Sequence, residues 1–170
     1  MRHWSPDDVE GAFRLFGDPE VMRYVGDGRP HADHAYTRGW IERAIAYDEK
    51  HGICRWAVDE KESGQLIGSC GFMYPYKDDD VDLGYYFGRA YWGRGFAAEI
   101  ASACLKYGFE TLKLKQVSAT VDVRHEVSQH LLKKLGFEFV KIIDNDDGTV
   151  DHYCLVVNPS MREGQVDRST

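Results

Sequence analysis

No stretch of this 170-residue chain comes near the ~20 consecutive apolar residues of a membrane span, which excludes an integral helical membrane protein. Residues 1–8 hold no apolar h-region, so no secretory signal is read and a cytoplasmic protein is expected. The chain has neither CxxC nor a Cys/His cluster at zinc spacing. Its cysteines, Cys54, Cys70, Cys104 and Cys154, are far apart and sit in apolar or alternating segments. They read as small buried residues, and no metal is expected. Positive charge is in short supply: 21 basic residues against 28 acidic ones give a net charge of -7. That disfavours binding to nucleic-acid phosphates and mildly favours cationic partners, although ordinary solubility explains it as well. Repeats and low-complexity tracts are absent too.

What is present fits a globular protein: 43% hydrophobic, 29% charged and 13% aromatic residues. The length suggests one domain over residues 1–158, followed by a polar, loose tail over 159–170. Ser5-Pro6-Asp7-Asp8 reads as a helix start, with Ser as N-cap and Pro in the first position. Val9, Phe13 and Phe16 follow near helical spacing, and Gly17 stops them. Asp18-Pro19-Glu20 restarts a short helix, residues 26–30 are loop, and a longer helix is expected over about 32–50. The texture then changes to strand at 53–58, a polar turn at 60–64 and strand at 65–74. A charged loop at 75–79 leads to a third strand, in which Val81, Leu83 and Tyr85 alternate with Asp82, Gly84 and Tyr86. These three strands suggest an antiparallel meander. A helix of about 14 residues, a strand over 115–123 and a helix over 127–135 stopped by Gly136 come next. Strands at 137–144 and 149–157 close the pattern as a hairpin. The order is that of an α+β fold with a mixed sheet.

The most informative segment is Tyr91-Trp92-Gly93-Arg94-Gly95-Phe96-Ala97-Ala98-Glu99, between a strand and a helix. Glycines there let backbone N–H groups close around an anion, and a helix N-terminus adds partial positive charge. The physics predicts a phosphate or pyrophosphate site, although glycines also end strands for steric reasons. Neither GxxxxGK[ST] nor GxGxxG is present.

These residues resemble the GNAT superfamily of acetyl-CoA-dependent N-acetyltransferases, and within it the RimJ/RimL-type group of ribosomal-protein-alanine acetyltransferase-like proteins. Trp92-Gly93-Arg94-Gly95-Phe96-Ala97 resembles the family's pyrophosphate loop, Q/R-x-x-G-x-G/A, at Gly95 and Ala97. Leu83-Gly84-Tyr85-Tyr86 is similar to the strand before it. His125-Glu126-Val127-Ser128 followed by Leu135-Gly136-Phe137 resembles Asn-x-x-Ser and Leu-Gly-Phe. There are three departures. The opening strand is reduced to Met1-Arg2-His3-Trp4, the family Asn is His125, and Leu132 stands where many members carry a tyrosine general acid.

The resemblance implies a central mixed, twisted sheet flanked by helices. It places acetyl-CoA in a gap between the strands Val81–Phe87 and 115–123, with no metal. Cofactor contacts are expected at Tyr86, Phe87, Trp92, Gly93, Arg94, Gly95, Phe96, Ala97, His125 and Ser128, and at Lys133 if it meets the 3′-phosphate rather than solvent. An N–H at the end of Val81–Phe87 is expected to polarise the thioester carbonyl. Ser128 stands at the family's position for protonating the leaving thiolate, against the alternative of an early-helix residue serving the backbone. Asp82, Glu99 and His125 are candidate bases. The alternatives are an exposed strand residue for Asp82, a dipole-complementing acid for Glu99 and an inert surface histidine for His125. His31 and His34 are expected on loops or exposed helix faces. The implied acceptor is a primary amine, foremost a protein N-terminus. A polyamine, aminoglycoside or amino acid is the alternative, as is a CoA-binding sensor without turnover. A homodimer is left open.

Overall fold

The computed structural model describes residues 1–74 and 81–162. The expected charged loop at 75–79 and most of the polar tail therefore lie outside the described residues. Six strands form one mixed sheet in the order β1-β2-β3-β4-β6-β5. They are β1 (Arg55–Asp59), β2 (Leu66–Met73), β3 (Val81–Phe87), β4 (Gln116–Asp122), β5 (Glu138–Asp144) and β6 (Val150–Val157). The chain falls into two compact units, residues 1–73 with 84–100, and residues 74–83 with 101–170.

In the first unit, Ser5 caps a short 3-10 helix (Pro6–Asp8) that runs into α1 (Val9–Phe16). The Ser5 side chain accepts from the Asp7 amide and the Asp8 carboxylate accepts from the Ser5 amide, closing a capping box. Then come α2 (Pro19–Met22), capped by Asp18, and α3 (His34–His51), capped by Asp33 and ended by Gly52 at φ 69°. A glycine is needed there because that backbone sign strains any L side chain. Trp4, Ala12, Leu15, Phe16, Met22, Ile41 and Ala57 form the core, with Trp40 and Tyr86 packed against it. Each large side chain buried there contributes roughly 1.5–3 kcal/mol. β1 pairs antiparallel with β2.

The reduced opening strand survives as a single antiparallel bridge, Arg2 to Ala57. Polar contacts hold it in place. The Arg2 guanidinium donates to both Asp8 and Asp59 at 2.6–3.1 Å. Burial works to raise the Asp8 pKa, but the bonds from Arg2 and the Ser5 amide outweigh it and hold the carboxyl below its ordinary value. Trp4 Nε1 donates to the Arg55 carbonyl at 2.7 Å.

In the second unit, β4 pairs antiparallel with β6 over seven residues from Gln116↔Val157 to Asp122↔Asp151, and β5 pairs antiparallel with β6. The expected hairpin is thus found, and it leaves β5 at the sheet edge. The start of β3 runs parallel to β4 in a ladder of two pairs, Val81↔Val117 and Asp82↔Ser118. Helix α5 (Glu126–Lys134) follows β4, and Gly136 takes φ 88° just past its end. Asn158 donates to the Leu114 carbonyl at 3.1 Å. The tail expected to be loose from Pro159 opens with a turn of helix, α6 (Pro159–Arg162), because Asn158 accepts from the Ser160 amide. Helix α4 (Phe96–Glu110) contributes to both units. All four cysteines are buried and none forms a disulfide, as their setting suggested. Among the described residues no helix is long and apolar enough to cross a membrane.

Candidate active site

In the first unit, β3 ends at Phe87, and the Gly88 amide donates to the Ile67 carbonyl of β2 at 2.9 Å. A 3-10 turn (Arg89–Tyr91) then presents Trp92. The Trp92 indole N–H reaches back to the Phe87 carbonyl at 2.6 Å. This bond ties the glycine loop to the end of β3, a role for Trp92 that the motif alone did not show. Gly93 has φ 70° and Gly95 φ 88°. A Cβ at either would meet no protein atom within 4 Å, so backbone sign and not packing demands glycine.

The Glu99 amide donates to the Gly95 carbonyl at 3.0 Å, closing the first turn of α4. The amides just after Gly95 have no partner within the helix, and the dipole of a 15-residue helix adds positive potential there. Backbone donors, exposed glycines and positive potential together suit a pyrophosphate. Arg94 is exposed, lies over the rings of Tyr91 and Phe96 and pairs with Glu60 at 3.4 Å. A pair so exposed is worth little and leaves the guanidinium available to an anion. Glu99 is exposed in the first turn of α4, where an acid also complements the dipole.

Tyr86 is half-buried, whereas the Phe87 side chain is buried, so Phe87 offers a ligand chiefly its backbone. The Tyr86 hydroxyl accepts a hydrogen bond from Arg55, whose guanidinium lies over the Tyr86 ring. A Cβ on Gly84 would fall within 2.3–2.7 Å of that guanidine group. Sequence reading missed Arg55. Gly84, a glycine inside an alternating strand, was the available signal for such a close approach. Phe16 packs edge-on to Tyr86 at 6.1 Å, and Trp40 and His31 pack on Phe16.

His31, expected on a loop or exposed face, is instead 7% exposed, and its ring bonds to Thr37 at 3.0 Å. The rings of Phe16, Tyr36 and Trp40 close around it. Burial and the charge of Arg43 hold its pKa below the ordinary value. His34, as expected, is exposed and contacts Glu10 at 2.9 Å.

In the second unit, Asp82 is not the exposed strand residue weighed as its alternative. It is 9% exposed because it pairs with Ser118 of β4 within the sheet. His125 precedes α5, and its amide donates to the Asp122 carbonyl at 2.9 Å. It is half-buried; burial lowers its pKa, and the Asp122 charge only partly restores it. The imidazole is therefore neutral near pH 7. Asp122 itself is held below the carboxylate range by hydrogen bonds from Arg124, at 2.8 and 2.9 Å to one oxygen. Ser128 is half-buried in the first turn of α5, one turn from His125. Lys133 is exposed in the last turn of α5, beside a cavity of about 820 Å³ that Leu132, Phe137 and Phe139 also line. The second unit thus brings Asp82, His125, Ser128 and Lys133 onto β3, α5 and the residue before α5. Tyr86, Phe87 and residues 92–97 form one continuous stretch of the first unit with Glu99 behind them.

The model of the acetyltransferase (GNAT) domain family matches residues 1–138. The chain is 34% identical over 140 residues to the uncharacterized N-acetyltransferase YoaA of Bacillus subtilis, covering 81% of this chain and 78% of that protein. It is 26% identical over 110 residues to the [ribosomal protein uS5]-alanine N-acetyltransferase of Escherichia coli, covering 62% and 57%. In fold it is similar to the spermidine N-acetyltransferase of Vibrio cholerae solved with CoA and spermine, with a TM-score of 0.77, 18% identity, and 92% and 94% covered. With a family model over most of its length and a mixed sheet of the matching fold, the chain belongs to the GNAT family and is an acetyl-CoA-dependent N-acetyltransferase.

Proposed function

We propose that the acceptor is the α-amine of a protein or peptide N-terminus, as in the RimJ/RimL-type group. The observation that carries this reading is the environment of Tyr86. Phe16, Trp40 and a neutral His31 pack in sequence behind it, and Arg55 bonds its hydroxyl. None of these four groups is a carboxylate that would hold a polycation, and the guanidinium repels one, while an amine that is already neutral meets no such repulsion. An α-amine, with pKa ~7.7–8.0, is partly neutral near pH 7, whereas a lysine-like amine at ~10.4 is not. The net charge of -7 draws a basic peptide toward the protein. The likeness to the alanine acetyltransferase agrees with this choice, whereas the likeness to spermidine acetyltransferases, which extends to 24% identity over 146 residues with the Escherichia coli enzyme, favours the polyamine alternative.

In this reading residues 92–97 hold the pyrophosphate of acetyl-CoA, with Trp92 keeping the loop on β3. A backbone N–H of Gly84, Tyr85, Tyr86 or Phe87 donates to the thioester oxygen, worth ~3 kcal/mol as the oxyanion develops. The amine attacks the carbonyl carbon, the C–S bond breaks, and the Ser128 hydroxyl donates to the departing thiolate. The neutral imidazole of His125 takes the proton that the new amide nitrogen sheds. The test compares kcat/KM for short peptides with a small free N-terminal residue and basic residues downstream against spermidine, free lysine and an aminoglycoside. The peptides are expected to win, with rates rising through pH ~7–8 as the α-amine deprotonates. Preference for spermidine or an aminoglycoside by tenfold or more overturns the acceptor and leaves the acetyltransferase standing.

A further inference from the structure

Outside the acetyl-transfer machinery, the first unit gathers three different metal-ligating groups. A ring nitrogen of His3, a carboxylate oxygen of Asp48 and the Sγ of Cys54 all lie within 4.8 Å of one another. They come from separate segments, each pinned by its own hydrogen bonds. His3 stands between the Arg2–Ala57 bridge, closed by two bonds of 2.9 Å, and Trp4, whose indole donates to the Arg55 carbonyl. Asp48 sits in the last turn of α3, and its carbonyl accepts from Gly52 at 2.7 Å. The left-handed turn at Gly52 brings the chain back to Cys54, whose carbonyl accepts from Phe72 at 3.0 Å. His3 Nδ1 already meets the Asp48 carboxylate. A cavity of about 430 Å³, lined by His3, Trp4, Ile45, Asp48, Glu49 and Gly52, opens beside them and gives a cation a way in.

We propose that His3, Asp48 and Cys54 bind one Zn²⁺. The donor set is one imidazole nitrogen, one carboxylate oxygen and one thiolate sulfur, the mixture a borderline cation prefers over Mg²⁺ or Ca²⁺. Zinc bonds of ~2.0–2.3 Å place tetrahedral donors roughly 3.3–3.8 Å apart, so His3 and Asp48, now in direct hydrogen-bond contact, move apart to admit the cation while Cys54 closes on it. The His3 side chain, 75% exposed, is free to make that movement. Cys54 gives up its thiol proton, and water takes the fourth position, facing the cavity. No linear motif announces the site, because its ligands are distant in sequence. Its consequence is mechanical. The opening strand is one bridge long, and the cation would fasten it to the end of α3.

The experiment uses the full chain without an affinity tag, stripped with a chelator and titrated with ZnCl₂ or CoCl₂. The expected result is one Zn²⁺ per chain by elemental analysis, a melting temperature raised by about 3 °C or more, and a thiolate-to-cobalt charge-transfer band. His3→Ala, an exposed change that leaves the core intact, should weaken zinc binding tenfold or more. Cys54→Ser should abolish the cobalt band. If Cys54→Ser fails to fold, the His3→Ala affinity and the cobalt band of the parent decide. Zinc below one tenth per chain, a cobalt complex without the thiolate band, or binding in His3→Ala within twofold of the parent overturns the proposal.

Discussion

Replacing Gly95 with alanine tests the pyrophosphate loop through backbone strain alone. Gly95 takes φ 88°, a region that costs a non-glycine residue roughly 1–3 kcal/mol. Such strain persists only where the surroundings enforce it, and no protein atom lies within 4 Å of the new Cβ. The free loop therefore relaxes, and acetyl-CoA must restore the strained shape on binding. At ~1.4 kcal/mol per factor of ten, affinity falls about five- to 150-fold. Gly95→Asp adds a carboxylate facing the pyrophosphate and should fall further. Gly148→Ala is the control. It has φ 83° and equally open space, but it sits in the β5–β6 hairpin, so it should lower stability and leave acetyl-CoA affinity unchanged. Calorimetric titration with acetyl-CoA, paired with thermal melts, reads both quantities. If Gly95→Ala binds within twofold of the parent while folded, the loop does not hold the cofactor as argued.

Trp92→Phe removes one hydrogen bond to the Phe87 carbonyl, worth about 0.5–1.5 kcal/mol, so KM for acetyl-CoA should rise roughly two- to tenfold; an unchanged KM means the indole bond does not position the loop. Ser128→Ala should lower kcat by roughly one to two orders of magnitude with little change in acetyl-CoA affinity, because its bond strengthens only as thiolate charge develops; turnover within twofold makes Ser128 structural. His31 has a folded pKa held below its unfolded value, so the unfolded chain binds more protons, and stability present above pH ~6.5 is lost as pH falls. Urea midpoints at pH 7.5 and 5.5 should show that loss, and His31→Gln should reduce it; an identical slope in the variant assigns the effect elsewhere, His125 first, since its pKa is lowered too.

The fold was legible where spacing carries the physics. Ser5-Pro6, Asp18-Pro19 and Gly136 mark helix ends because capping is local, and the alternation from Val81 to Tyr86 marks a strand because side-chain period is a backbone property. The glycine loop was legible for the same reason. Its meaning is carried by φ angles that glycines alone supply cheaply. Long-range effects were not legible. The burial of His31 depends on Phe16 and Trp40 from two helices, and the burial of Asp82 depends on the register with β4. Arg55 stayed hidden because its partner is 31 residues away, and only the bare Gly84 beneath it hinted at something lying across the strand.

The four cysteines are all buried and none is in a disulfide. Each turnover liberates the thiol of CoA, which makes a thiol-reactive dye the natural assay for this enzyme. In most proteins the enzyme's own sulfhydryls blur that readout. Here they are shielded by packing, so the native protein gives a low, slow background against which product appears. When the chain unfolds, all four thiols per molecule become reactive together. One reagent in one cuvette therefore reports catalysis while the fold holds, and the moment it is lost.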